Sequence, residues 1–195
     1  MTRINKNISY IKSSEEPLSA DIGIVETPNG KWLFDVGNNP ISISDLTDSY
    51  NIVLSHFHID HTGNLDKLIE KDLYVSKETY RYTNRGTIVE KDIYIDNLHI
   101  FVIPSSHAKG CLGLEVDGEY AFVGDALYSK SKDGYRIYNV QKLKECIELL
   151  KELKANYLLV SHYEGLIRNK NDVIIELQEI YKLKEKNSPE IKISY

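Results

Sequence analysis

Half of the histidines in this sequence lie within six consecutive residues. The segment from His56 to His61 reads HFHIDH and combines three histidines with an aspartate, whereas the whole chain of 195 residues contains six histidines. Neutral imidazole and carboxylate groups suit zinc, iron or manganese, and the lack of thiolates disfavours a closed structural zinc site. The segment is therefore either a chance cluster or part of an open metal site.

The spacing within this segment suggests two cations rather than one. His56 and His58 are two residues apart, so an extended backbone aims both imidazoles at a common point. Asp60 and His61 are adjacent, and in a turn that enters a helix they would converge on a second point a few ångströms away. The segment thus predicts two neighbouring cations, each held by one of these pairs.

Further ligands are predicted where strands end. His107 follows the apolar run FVIP, Asp125 follows FVG, and His162 follows YLLV, and polar groups at strand ends commonly form binding sites. His99 lies at the start of a strand and is interpreted as a structural or surface residue. The predicted ligands are His56, His58 and His107 on one metal, Asp60, His61 and His162 on the other, and Asp125 between them.

The strands and helices that carry these residues can be predicted from hydrophobic periodicity. ADIGIVET and KWLFDVG flank a Pro-Asn-Gly turn as a hairpin, and CLGLEV and EYAFVGD form a second hairpin. NIVLSHF, DLYVS, LHIFVIP and NYLLVSH are further strands, and EKNSPEIKISY is a tail or a late edge strand. Helical spacing is found over Thr62–Lys71 (Leu65, Leu68, Ile69), from Val140 to Leu150, and from Val173 to Ile180.

The complete pattern resembles the metallo-β-lactamase superfamily. Its H-x-H-x-D-H motif is followed by a lone His, a lone Asp and a lone His, and all seven positions are present here between Ile22 and His162. LFDVG precedes the motif, and PSSHAKGCLGLEV is similar to the Pro-x-x-His-x-x-Gly stretch of the family. The resemblance implies an α/β (α+β) protein built as a four-layer αββα sandwich of two mixed sheets, with the metals at one edge.

The resemblance also implies a mechanism and a cofactor. Two zinc ions per chain are expected, with iron or manganese as alternatives, and a hydroxide between them would attack an ester, thioester, lactone or phosphodiester. Asp60 would hold the second metal and help transfer protons as a catalytic residue. The substrate is expected to be a small molecule.

Other residues near the motif have both functional and structural interpretations. By the same resemblance, Asp35 in LFDVG would orient a ligand histidine or Asp60 without touching the metal; the structural alternative is that it simply starts a turn with Gly37. Ser55 and Thr62 either support ligands or cap local structure. Cys111 is interpreted as a buried strand residue rather than a ligand, and Tyr163, next to His162, is a candidate for substrate binding.

The composition restricts the class of protein. With 24 Lys and Arg against 29 Asp and Glu, the formal charge is −5, which argues against a dedicated nucleic-acid binder. No signal-peptide core or membrane-length apolar run is apparent, and neither Cys111 nor Cys146 belongs to a C-x-x-C pair. We therefore expect a single cytoplasmic domain over residues 1–195, without nucleic-acid or membrane partners.

Several functional alternatives stay open at this stage. A glyoxalase II type enzyme has an additional helical domain, whereas only Tyr163–Tyr195 follow the last ligand. A nuclease that processes transfer RNA would need a basic exosite, which this acidic sequence lacks. Flavin-coupled di-iron members typically replace the second motif histidine with glutamate, whereas His58 stands here. A mononuclear iron persulfide-dioxygenase-like enzyme and a non-catalytic metal-dependent binding or sensor protein are the alternatives to a metallo-hydrolase.

Overall fold

The computed structural model describes residues 1–195 of the chain. The α-helices are α1 (Ile59–Thr62), α2 (Lys77–Thr83), α3 (Val140–Glu152) and α4 (Lys170–Lys182), and a 3₁₀ turn covers Leu65–Lys67. The strands are β1 (Thr2–Arg3), β2 (Ile8–Ile11), β3 (Ser14–Glu15), β4 (Leu18–Ser19), β5 (Ile22–Thr27), β6 (Gly30–Phe34), β7 (Ser49–Val53), β8 (Ile69–Val75), β9 (Thr87–Ile88), β10 (Ile93–Ile95), β11 (Leu98–Ile103), β12 (Cys111–Val116), β13 (Tyr120–Gly124), β14 (Lys130–Lys132), β15 (Tyr135–Asn139), β16 (Tyr157–Val160), β17 (Ile167–Asn169) and β18 (Glu190–Ser194).

Two mixed sheets form the framework. The first has the order β1-β2-β5-β6-β7-β8-β9, in which β6 to β9 are parallel to one another. The second has the order β10-β11-β12-β13-β16-β17, in which only β13 and β16 form a parallel pair. Strands β14, β15 and β18 form a small third sheet, and β3 pairs with β4.

The main core lies between the two large sheets. Side chains of both sheets meet there in one buried cluster that includes Val25, Trp32, Phe34, Val53, Ile100, Leu112, Leu114, Phe122 and Leu159. Because alternate residues of a strand point to opposite faces, the other face of each sheet needs its own cover. The two sheets therefore pack face to face as the inner layers of a sandwich.

The outer layers of the sandwich differ in construction. Helices α3 and α4 cover the second sheet with a buried cluster that includes Leu143, Ile147, Leu150, Val173 and Leu177. Each helix begins at an asparagine, Asn139 or Asn169, whose side chain accepts hydrogen bonds from the first turn. The first sheet is covered more thinly, by Ile43, Leu46 and Leu65.

The predicted architecture is confirmed, and one predicted helix is wrong. Both hairpins, the later strands, α3 and α4 are present, and EKNSPEIKISY ends in the edge strand β18. Helical spacing over Thr62–Lys71 does not produce a helix, because α1 ends at Thr62 and Ile69 already pairs with Ser49 in the first sheet. No helix of the structure combines the length and apolar character needed to cross a membrane.

The absence of a side chain at Gly23 allows close packing between the sheets. Phe34 and Phe122 stack across the sandwich with ring centroids 5.3 Å apart, and Gly23 is paired with Phe34 in the first sheet. A Cβ at Gly23 would lie 2.3 Å from Cε1 of Phe122. Any side chain at position 23 would therefore collide with the ring of Phe122, and only glycine leaves room for it.

Gly23→Ala is expected to destabilise the fold by about 1–3 kcal/mol, because an added methyl group overpacks the core. Urea unfolding measures the change in free energy. In a Phe122→Leu background, where the ring is absent, the same glycine replacement should cost clearly less. Equal costs in both backgrounds would contradict the proposed clash.

Candidate metal centre

The seven predicted ligands lie together at one edge of the sandwich. Strands β11, β13 and β16 run in the same direction, and their carboxyl ends deliver His107, Asp125 and His162. From the first sheet, the loop after β7 carries His56 and His58. Helix α1 begins at Ile59 and places Asp60 and His61 in its first turn. Residues far apart in sequence thus converge because strand direction is fixed by the sheets.

The first group consists of three imidazoles. Nε2 of His56 lies 2.9 Å from Nδ1 of His58, which lies 3.2 Å from Nε2 of His107. Nitrogen ligands 2.0–2.1 Å from a tetrahedral zinc ion would lie roughly 3.4 Å from one another. The three nitrogens therefore have nearly the separation that ligands of a single cation require.

The second group combines two carboxylates with two imidazoles. Asp60, His61, Asp125 and His162 each offer a ligand atom within 4.8 Å of the others. Oδ2 of Asp60 lies 3.1 Å from Nε2 of His162 and 3.5 Å from Nε2 of His61. A carboxylate-containing set of this kind suits a divalent cation.

Asp125 lies between the two groups. Its Oδ2 is 3.4 Å from Nε2 of His61 and 3.5 Å from Nε2 of His107. One carboxylate oxygen is thus within reach of both sets of nitrogens. This position is compatible with the bridging role that the sequence predicts for Asp125.

Two buried atoms of the second group have no hydrogen-bond partner, namely Nε2 of His61 and Oδ1 of Asp125. Leaving buried polar atoms unsatisfied costs free energy, so such atoms need another explanation. A cation held between them would satisfy both. The residues present therefore fit a metal ion.

Burial keeps the imidazoles of the first group neutral, which is the form that binds metal. It lowers the pKa of His56 far below its ordinary value, and it also lowers the pKa of His58 and His107. These three side chains are therefore available as ligands at neutral pH.

Charges control protonation in the second group. Burial opposes the charged form of His61, but the carboxylates of Asp35 and Asp125 raise its pKa well above the ordinary value. Burial likewise disfavours the charged form of Asp60, yet the hydrogen bond from His162 and the charge of His61 lower its pKa. The hydrogen bond to Asp60 raises the pKa of His162. These pKa shifts of Asp60, His61 and His162 all favour an ionised carboxylate beside a protonated histidine.

Asp35 contacts the second group through His61. It is fully buried and has a left-handed backbone with φ of 59°, and its Oδ2 lies 2.7 Å from Nδ1 of His61. When the Nδ1–H of His61 donates a hydrogen bond to Asp35, its Nε2 is directed at the cluster. Asp35 follows β6 directly and does not lie in a turn, and its contact with His61 supports the interpretation that it orients a ligand.

Ser55 extends this support to the first group. Its hydroxyl donates a hydrogen bond to Oδ2 of Asp35 at 2.7 Å and lies 3.0 Å from Nδ1 of His56, from which it can accept a hydrogen bond. Asp35 thus contacts His61 directly and His56 through Ser55. Thr62 instead donates to the backbone oxygen of His58.

The remaining sequence predictions fall outside the cluster. His99 lies between Asp92 and Glu115 and stacks on Tyr94. Cys111 and Cys146 are free and buried. These residues take no part in the candidate centre, as the sequence predicts.

A cavity of about 800 Å³ opens over the ligands. Tyr163, predicted as a substrate contact, is 43% exposed there, and the Arg168 guanidinium lies 4.8 Å from the centre of its ring. Sequence reasoning missed Lys12 and Tyr128, which also line the cavity. Lys12 follows β2, far from the motif in sequence, and has no local signal, whereas Tyr128 lies three residues after Asp125 and could have been found by its closeness to that ligand.

Known structures share this arrangement of layers. An archaeal metallo-β-lactamase superfamily protein from Sulfolobus tokodaii matches over 95% of this chain and 90% of its own, with a TM-score of 0.63 and 18% identity. The metallo-β-lactamase of Cronobacter sakazakii matches over 90% of both chains, with a TM-score of 0.65 and 14% identity. The chain has the metallo-β-lactamase fold.

Two further matches, one in structure and one in sequence, cover a smaller share of the related protein. A flavo di-iron protein from Thermotoga maritima has a TM-score of 0.64 and 16% identity, and the match covers 96% of this chain but 56% of that protein. In sequence, a hydroxyacylglutathione hydrolase from Glaesserella parasuis is 34% identical over 83 residues, which cover 40% of this chain and 35% of the relative. No family model matches the sequence.

Proposed function

We propose that this protein is a metal-dependent hydrolase with two cations. The observation that carries the proposal is the convergence of seven ligand side chains in two adjacent groups, with buried, unsatisfied atoms on His61 and Asp125. His56, His58 and His107 would hold one cation, and Asp60, His61 and His162 the other. Asp125 would contact both.

Two bound zinc ions would supply activation of a water nucleophile and polarisation of the scissile bond. The chain contributes the groups that place and move protons. The Asp60 carboxylate lines the cavity, so it can receive the proton of the nucleophile and return it to the leaving group. Asp35 holds His61 in the orientation that ligation requires.

We propose a small ester, thioester, lactone or phosphodiester as the substrate, with thioesters first to be tested. The size of the cavity is in the range of small-molecule sites, and one relative is a hydroxyacylglutathione hydrolase, a name that refers to a thioester substrate. The single-domain organisation and the cytoplasmic location remain predictions from the sequence.

The first test combines metal analysis with a substrate panel. Protein purified without chelator should contain about two zinc ions per chain and hydrolyse at least one of the four substrate classes. Chelation should abolish turnover and added zinc should restore it. One iron per chain would favour persulfide-dioxygenase-like chemistry instead, and two bound metals without turnover would favour a binding or sensor protein.

Tyr163→Ala is expected to raise KM roughly tenfold while kcat and metal content stay unchanged, because the ring lines the cavity and belongs to neither ligand group. Steady-state kinetics on the best substrate of the panel measures the change. Tyr163→Phe keeps the ring and should resemble the wild type. An unchanged KM in the alanine variant would exclude Tyr163 from substrate binding.

A further inference from the structure

A buried aspartate outside the ligand set contacts the backbone that carries His162. Asp21 immediately precedes β5 and is 6% exposed. Its Oδ2 accepts hydrogen bonds from the backbone N–H of His162 at 2.9 Å and from the Ser161 hydroxyl at 3.3 Å. Its Oδ1 accepts from the backbone N–H of Ser13 at 3.0 Å. Both carboxylate oxygens are therefore engaged.

His162 needs such support because its backbone is in an uncommon conformation. Its φ is 59°, in the left-handed region that residues other than glycine rarely adopt. Such conformations persist only where the surroundings fix them. The hydrogen bond from its N–H to Asp21 fixes the peptide from which the imidazole projects toward Asp60.

The residue that precedes Asp21 contacts a second ligand. The backbone N–H of Ala20 donates to the carbonyl oxygen of Asp60 at 2.9 Å. The two adjacent residues thus bind the backbones of both Asp60 and His162, whose side chains lie 3.1 Å apart. Ala20 and Asp21, the two residues just before β5, therefore link the backbones of these ligands.

We infer that Asp21 is a positioning residue for the second cation, acting through the His162 peptide. This inference rests on the proposed function, since it requires that His162 binds a metal. Asp21 contacts no member of the first group, so its loss should weaken one cation site selectively. A residue that supported only the fold would affect both sites alike.

The test compares metal affinities of Asp21 variants with those of a matched control. Glu115 is a second buried carboxylate that accepts a backbone N–H, from Ala155 at 2.6 Å, away from the ligands. Zinc titration and Co²⁺ absorption spectra are measured for the wild type, Asp21→Ala, Asp21→Asn and Glu115→Gln. Thermal unfolding of each metal-free protein monitors the fold.

Asp21→Ala should weaken the second site at least about tenfold, the range seen when outer partners of ligands are lost. The zinc content after dialysis should fall from two to about one, with the cobalt spectrum of the first site unchanged. Asp21→Asn keeps one acceptor oxygen and should give an intermediate affinity. Glu115→Gln should retain both metals.

Unchanged affinity for two metals in Asp21→Ala would overturn the inference and leave the proposed function intact. If Asp21→Ala does not fold, Asp21→Asn replaces it in the test, and unchanged affinity for two metals in that variant would overturn the inference. An equal loss of the second metal in Glu115→Gln would also overturn it, since the effect would then be general destabilisation. Fewer than two metals in the wild type would contradict the proposed function and the inference with it.

Discussion

Asp60→Ala is expected to lower hydrolytic activity by at least about 10³-fold, because the variant loses a ligand of the second cation together with the group that transfers protons. The metal-free variant should still fold, since the side chain faces the cavity rather than the core. Activity and zinc content measured on the same samples test the expectation. Full activity in this variant would refute the assignment of Asp60.

Metal-linked stability gives a second measurement of the same prediction. A metal that binds only the folded state stabilises it by about 4 kcal/mol when the free metal is 1,000 times Kd. Zinc should therefore raise the melting temperature of the wild type, and the rise should be smaller in Asp60→Ala. His99→Ala is the matched control, because His99 lies outside both ligand groups.

An amide variant separates the two roles of Asp60. Asp60→Asn retains an oxygen that can ligate a cation but loses the ability to accept a proton. We expect this variant to keep more of its zinc than of its activity. Parallel losses of metal and activity would instead show that Asp60 acts through ligation alone.

Asp35→Ala is expected to destabilise the metal-free protein by about 3–5 kcal/mol, the range for removal of one partner of a buried charged pair. The variant leaves the Nδ1 of His61, the hydroxyl of Ser55 and the N–H of Ser55 without their acceptor. Urea unfolding measures the loss. Zinc affinity should fall as well, because His61 loses the partner that orients it.

The control for this prediction is an exposed aspartate. Asp66 is 85% exposed and pairs with Arg85 at the surface, so Asp66→Ala should cost less than about 1 kcal/mol and leave the zinc content unchanged. A similarly small cost in Asp35→Ala, with both metals retained, would contradict the role given to Asp35.

The sequence predicted most of the strands, the two long helices and the members of the candidate site, whereas the four-layer arrangement followed only from the resemblance to the metallo-β-lactamase superfamily. Strands and the two long helices have periodic apolar faces, as in Leu143, Ile147 and Leu150, and this periodicity is local information. The ligands were predictable because their chemistry is rare in this composition and because His107, Asp125 and His162 each follow a strand. Residue type and order therefore sufficed to propose which side chains meet.

Local periodicity failed where tertiary pairing competed with it. Leu65, Leu68 and Ile69 have helical spacing, yet Ile69 begins β8 because pairing with β7 supplies its backbone hydrogen bonds. The Asn64 amide also binds the backbone oxygens of Val36 and Asn39, which anchors the chain before a helix could develop. The periodicity of ten consecutive residues contains no information about contacts with residues more than 20 positions away.

The tertiary structure alone decided how the ligands are held. Asp35 reaches His61 from 26 positions away, and Asp21 reaches His162 from 141 positions away. Neither carboxylate has a local pattern that reveals its partner, since the register of the sheets and the left-handed backbone of Asp35 and His162 set these contacts. Sequence specifies which groups can bind a metal through their chemistry, whereas only packing fixes where each proton and lone pair points.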